Sequence, residues 1–378
     1  MKREDPQKIT LQQPLGTVSE EDFQEHVWGR KARRRLKIKR ALKFAVVSVL
    51  MFAVLAGGFI VTETLLRVSE TPLETQRHTE PEQTTAPPEV TLPAPEGPPL
   101  RSFYAPLNML DRNDDSPKLV ARAQQLEATA AVMTFKDGGG YLSYQSNLMQ
   151  QRLINASQKM RYRTYWTMRD LQRKAGQRIV AVIHCFDDPL AAGAMEEAAV
   201  LQRDADAPWT DGQGRRWLNP YSPQAREYLL AVIREVVAFG ADEILLCGVA
   251  FPEGNLQGAV FPGQEEIDPT AQGAEAKRMA ARNAALRSFT AEAKEAAGVP
   301  LYVMIPGQAA IDGADSLGGD LWGCAADYIA VDTRGAPWAR DGSYWRTRPV
   351  LPVVESPEDA QGARDYIVLV DEISDLRR

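Results

Sequence analysis

The sequence predicts an α/β protein: a (β/α)8 TIM-like barrel ectodomain, its last units irregular, preceded by one transmembrane helix. Three observations carry this. The 19 residues from Phe44 to Thr62 hold no charged side chain. A segment rich in Pro, Thr and Glu follows. Beyond Leu100, short β-branched and apolar runs alternate with longer helical patterns, the signature of repeated βα units.

The apolar stretch spans about 28 Å as a helix, close to the hydrocarbon thickness of a bilayer. Nine Lys and Arg residues between Arg30 and Lys43 precede it, whereas Glu63, Arg67 and Glu70 follow. The positive-inside rule therefore puts the N-terminus in the cytoplasm and the bulk of the chain on the other side of the cell membrane. A cleaved signal would use a shorter apolar core nearer the chain start and a small-residue cleavage site. We therefore divide the chain into a basic tail (1–41), a transmembrane helix (42–64), a stalk (65–100) and a barrel (101–378). The prolines of the stalk hold it extended, and it has too little apolar surface to fold.

In the barrel the expected strands are Arg101–Ala105, Thr129–Phe135, Arg178–Phe186, Glu243–Val249, Pro300–Ile305, Tyr328–Asp332, Pro349–Val354 and Tyr366–Val370. The expected helices include Pro117–Ala128, Asn147–Ala175, Pro223–Phe239 and Ala271–Ala297. Ser222, Pro223 and Gly240 supply the start and stop signals of the third. After Asp332 and after Val354 there is room only for a loop or a short helix. A doubly wound open sheet is the alternative fold, weakened because no G-x-G-x-x-G turn follows the first strand.

Net charge is −6, summing a basic tail and a more acidic remainder, and no basic stripe with interleaved aromatics points to nucleic acid. Cys185, Cys247 and Cys324 are too few for a disulfide scaffold. Strand parity turns Cys185 toward the helices and Cys247 toward the interior, so the two are expected to be free thiols. No second histidine or Cys-x-x-Cys accompanies His184, so neither a metal nor another cofactor is expected.

Three blocks, MTFKDGGGYLSYQS (133–146), RIVAVIHCFDDPLAA (178–192) and WTDGQGRRWLNPY through ILLCGVAFPEG (209–254), resemble a bacterial family of glycoside-hydrolase-like TIM barrels. The resemblance runs from about 101 to 335 and implies a barrel acting on carbohydrate. It also implies polar residues at the mouth that this chain lacks. The family's fourth strand ends F-D-Y-V-R-F-P, against Leu246-Cys247-Gly248-Val249-Ala250-Phe251-Pro252 here. Its second-strand D-V-K-D is Thr134-Phe135-Lys136-Asp137, its third-strand arginine is Val182, and the acid before its Pro-Tyr pair is Asn219. Six polar positions are thus altered at Thr134, Val182, Asn219, Cys247, Gly248 and Ala250.

Two-acid glycoside hydrolysis needs a proton donor and a nucleophile or base about 5 to 9.5 Å apart, and a barrel places them at C-terminal strand ends. Cysteine is no working substitute. Acids near strand ends are Asp137, Asp187, Asp188, Glu253, Asp332, Glu355 and Asp371, of which Glu253 with Asp332 is the first candidate catalytic pair. Asp188-Pro189 reads as a helix start. His184, inward by parity, is a candidate sugar-hydroxyl partner or a core histidine. Lys136 and Asp137, with the three glycines after them, form a turn that is a further candidate for binding. Trp209, Trp217, Tyr221 and Phe251 can stack on sugar faces, and Trp217 and Tyr221 can equally close the core.

Two functions of different class follow. One is a membrane-anchored barrel that has lost catalysis and binds a polysaccharide, a cell-envelope glycan or a partner. The alternative is an active glycosidase with relocated carboxylates.

Overall fold

The computed structural model describes residues 98–110, 115–148, 163–205, 207–268, 270–334, 350–360 and 363–370. The expected basic tail, the apolar stretch and all but the last three residues of the stalk lie outside these. Among the described residues no helix is long and apolar enough to cross a membrane.

Eight parallel strands form one sheet in sequence order: β1 (Ser102–Tyr104), β2 (Ala130–Lys136), β3 (Arg178–His184), β4 (Glu243–Cys247), β5 (Leu301–Pro306), β6 (Tyr328–Asp332), β7 (Val350–Val354) and β8 (Ile367–Val368). A parallel bridge from Arg101 to Tyr366 joins the ends of this order. Ser102 Oγ also accepts the Val368 N–H at 2.7 Å. All eight expected strands are present in this nearly closed TIM-like barrel, and the open-sheet alternative is set aside.

Helices α1 (Asp115–Gln125), α2 (Thr164–Ala175), α3 (Pro189–Ala194), α4 (Pro223–Phe239), α5 (Ala274–Ala297) and α6 (Gly307–Asp312) alternate with the strands. Ser222 Oγ accepts the Ala225 N–H, Pro223 opens α4, and Gly240 ends it with φ of 110°. Of the helix expected over Asn147–Ala175, Thr164–Ala175 is helical and Asn147 and Leu148 are not, while residues 149–162 lie outside the described residues. Asn147 donates its N–H to Glu235 Oε1 at 2.8 Å, and Leu148 donates to Ser146 Oγ at 3.1 Å. After β7 the described residues show a 3-10 turn, Pro357–Ala360, and residues 335–349 between β6 and β7 lie outside them.

Strand parity sorts the core. Ala131, Met133, Phe135 and Cys185 pack outward against helices, while Val132, Val180, Val182, Leu245, Cys247, Ala330 and Val353 fill the interior. The N-terminal end is closed by Glu243, which accepts from Arg178 Nη1 at 2.6 Å and from the Tyr302 hydroxyl at 2.6 Å. Chemistry is therefore left to the other end, where the strand C-termini open.

Candidate functional site at the barrel mouth

The ends of β2 and β3 bring Asp137, His184 and Asp187 together. His184 Nδ1 and Asp187 Oδ2 are 2.9 Å apart. Burial works against the imidazolium, but the Asp187 carboxylate outweighs it and holds His184 above its ordinary value. Burial likewise pushes Asp187 up, and the charges of His184 and Lys136 with the His184 hydrogen bond bring it below the usual carboxylate range. Gly248 packs directly on this pair: a Cβ there would lie 2.1 Å from Asp187 Oδ1, and its φ is +62°. Gly138 adjoins the same pair, since its Cβ would fall 3.0 Å from Asp187 Oδ2 and 3.1 Å from His184 Nδ1. Asp137 Oδ1 accepts the N–H groups of Gly139 and Tyr141 at 2.9 and 2.8 Å. Burial raises its pKa, against the pull of those amides, Lys136 and His184.

Lys136 was expected among the binding residues, but its side chain is fully buried and pairs with Asp188 Oδ2 at 2.9 Å. Its ammonium also donates to the His184 carbonyl at 2.7 Å. Asp188 in turn caps α3 through the Ala191 N–H at 2.8 Å and accepts from the Tyr228 hydroxyl at 3.2 Å. Every member of this pair is satisfied by protein, which makes it a support for the mouth.

At β4 the inward residue is Cys247, beside His184 in register and 3.8 Å from Met304 Sδ of β5. Burial raises its thiol well above the ordinary value, the charges of Asp187 and Asp332 add to this, and Arg334 opposes it. Asp187 and Asp332 therefore both act electrostatically on the sulfur. Asp332 is held by Arg334 through two bonds, Nε to Oδ1 at 2.8 Å and Nη2 to Oδ2 at 2.7 Å. Thr134 shares a 3.0 Å hydrogen bond with the Tyr104 hydroxyl, and Val182 is wholly buried.

Beyond β4 a cleft of about 620 Å³ is lined by Trp209, Trp217, Gly248, Ala250, Phe251 and Glu253 together with Arg215, Gln213, Asn255, Gln257 and Met304. Glu253 accepts the Ser316 hydroxyl at 3.0 Å, so it stands on the cleft wall. Asp211 is engaged by Trp217 Nε1 at 3.0 Å and Arg215 Nε at 2.9 Å, and the Arg215 guanidinium lies 5.4 Å from the Trp217 ring centroid. Trp209 donates its indole N–H to Gln257 O at 3.3 Å. Phe251 is wholly buried and packs on Tyr221 and Phe261, forming the floor rather than a free stacking face. Asn219 donates to Pro262 O at 2.8 Å and accepts the Tyr221 N–H at 3.1 Å, which makes it the clasp of a loop.

Of the residues singled out in the sequence, His184 and Asp137 share one side of the mouth, Glu253, Trp209 and Trp217 share the cleft, and Asp332 sits at the end of β6. Glu355 is exposed, and Asp371 lies outside the described residues. Asp187, noted as a strand-end acid but not among the candidate binding residues, is the partner that organises His184. Among the described residues no group of three or more His, Cys, Asp or Glu side chains is placed to hold a metal.

The model of a family described as "Putative glycosyl hydrolase domain" matches residues 102–321. No curated protein sequence matches the chain. Among solved structures, the glycoside hydrolase domain of PgaB (BpsB) from Bordetella bronchiseptica is similar at 14% identity and a TM-score of 0.51, covering 74% of this chain and 97% of that one. A hypothetical protein from Ruminiclostridium thermocellum is similar at 24% identity and a TM-score of 0.44, covering 54% and 96%.

Proposed function

Because the chain belongs to this glycosyl hydrolase domain family, with more than half its length matched, we propose that its barrel binds a glycan at the mouth without hydrolysing it. The observation that carries this is Cys247. In the resembled pattern its position holds an acid, and here it holds a fully buried thiol against Met304. A protonated thiol in an apolar contact neither donates to a leaving oxygen nor attacks a sugar carbon as a carboxylate does. Asp332 has both oxygens engaged by Arg334, which takes them up in an ion pair within the protein.

The cleft supports the binding half. The polar side chains Gln213, Asn255 and Glu253 line it beside apolar wall residues, with the buried rings of Trp209 and Trp217 holding the wall in place, a mix of hydrogen-bonding and apolar groups suited to a pyranose. In the same reading the uncharged stretch 44–62 anchors the chain in the cell membrane, tail inside, and the stalk restricts ligands to cell-envelope glycan near the surface.

The full chain in detergent, passed over envelope polysaccharides, tests both halves. Retention without release of reducing sugar is expected. Failure to be retained on any polysaccharide would sink the binding half, and release of reducing sugar would sink the other. A second reading, hydrolysis through relocated acids, draws on Glu253 standing on the cleft wall. It requires reducing-sugar release that Glu253→Gln abolishes.

A further inference from the structure

On the β2–β3 side of the mouth two carboxylate oxygens are buried without a donor: Oδ2 of Asp137, in a residue only 4% exposed, and Oδ1 of Asp187. Buried carboxylate oxygens are costly to leave without a donor, so such atoms mark where a partner enters. They flank one short turn, because Gly138 adjoins Asp187 and His184 while the next residue, Gly139, adjoins Asp137. His184 is bound through Nδ1, so Nε2 is the ring nitrogen outside this pair.

Three cations at this end of the barrel are committed to carboxylates: Lys136 to Asp188, Arg334 to Asp332 and Arg215 to Asp211. An acidic ligand would therefore meet two carboxylates with no uncommitted Lys or Arg among these three to offset them. A ligand carrying hydroxyl or ammonium hydrogens would supply what both oxygens lack.

We infer that Asp137, His184 and Asp187 form a donor-accepting subsite that takes a neutral or amine-bearing sugar and rejects uronic or phosphorylated ones. This rests on the glycan reading above and adds the class of sugar. The three residues are not among the altered family positions. Asp187 moreover depends on glycine at 248, since any side chain there would collide with its free oxygen.

The test uses the full chain in detergent micelles on an array of neutral, amine-bearing, uronate-bearing and phosphate-bearing oligosaccharides. Binding is expected for the first two classes only. For the strongest neutral or amine-bearing oligosaccharide, Asp187→Asn is expected to weaken affinity about ten- to hundredfold, the worth of a hydrogen bond to a charged group, and to narrow the discrimination against uronate. Thermal melting verifies that the variant folds, and Asp137→Asn, expected to weaken the same binding, serves if it does not. Uronate binding as strong as neutral binding would overturn the inference, as would an unchanged preference in both variants. Binding to no glycan would instead remove the glycan reading itself, and the inference with it.

Discussion

His184 and Asp187, three residues apart, form a partly open ion pair at the mouth with 2.9 Å between Nδ1 and Oδ2. Each group moves the other's titration, His184 up and Asp187 down, in spite of burial. The sign of the pH effect follows. The histidine's share of stability is complete below its ordinary value and is lost as pH rises through its raised folded value. The aspartate's share is present above its ordinary value and is lost as pH falls through its lowered one. Asp187→Asn is therefore expected to drop the His184 pKa, read by NMR titration of the imidazole, and to flatten the fall in stability on the alkaline side. An unmoved His184 would show that Asp187 does not set its charge.

Gly248 and Asp187 are coupled by space. A methyl group at 248 would overlap Asp187 Oδ1, and the backbone there is left-handed. Gly248→Ala should cost about 2 kcal/mol or more from strain and overlap together. In the double variant with Asp187→Ala the overlap part should be recovered, giving a coupling energy of about 1 kcal/mol or more in chemical denaturation. Strict additivity would mean the collision is relieved elsewhere.

The Lys136–Asp188 pair sets up a contrast between breaking and replacing. Both side chains are fully buried, so Lys136→Met leaves Asp188 charged in the interior and should destabilise by about 3–5 kcal/mol. Removing both charges with Asp188→Asn should cost less than that single change, because α3 keeps a capping side chain and no lone charge remains. Urea midpoints of the single and double variants decide it.

How much of this was legible beforehand depended on whether the signal was local. The eight strands are apolar runs bounded by turns, and α4 carries its cap, its proline and its glycine within its own sequence, so both could be read directly. The bond from Asn147 to Glu235 could not, because its two ends are 88 residues apart in sequence. Lys136 misled for a related reason. As a lysine beside a glycine turn it reads as solvent-facing, and only the fold brings Asp188 and Tyr228 to its side. Asp187 was visible as a strand-end acid three residues from His184, but the space that Gly248 leaves for it comes from the next strand and is not written in its own block.

Cys247 offers the sharpest check on lost hydrolysis. Cys247→Asp would return a carboxyl to the end of β4, into a buried site beside Met304 and within reach of the charges of Asp187 and Asp332. Burial and these like charges both disfavour its ionised form, so its folded pKa would stand above the usual carboxylate value. The variant should then be less stable than the parent by about 2 kcal/mol or more at neutral pH, the difference shrinking as pH falls toward the ordinary value of Asp. Hydrolysis should stay at background, since Val182, Gly248 and Ala250 still leave the altered mouth without its other polar groups. Reducing-sugar assays across pH 4 to 8, run beside thermal melts, separate the outcomes. Activity appearing in this single variant would mean that the rest of the hydrolytic machinery is intact and that one residue silenced it.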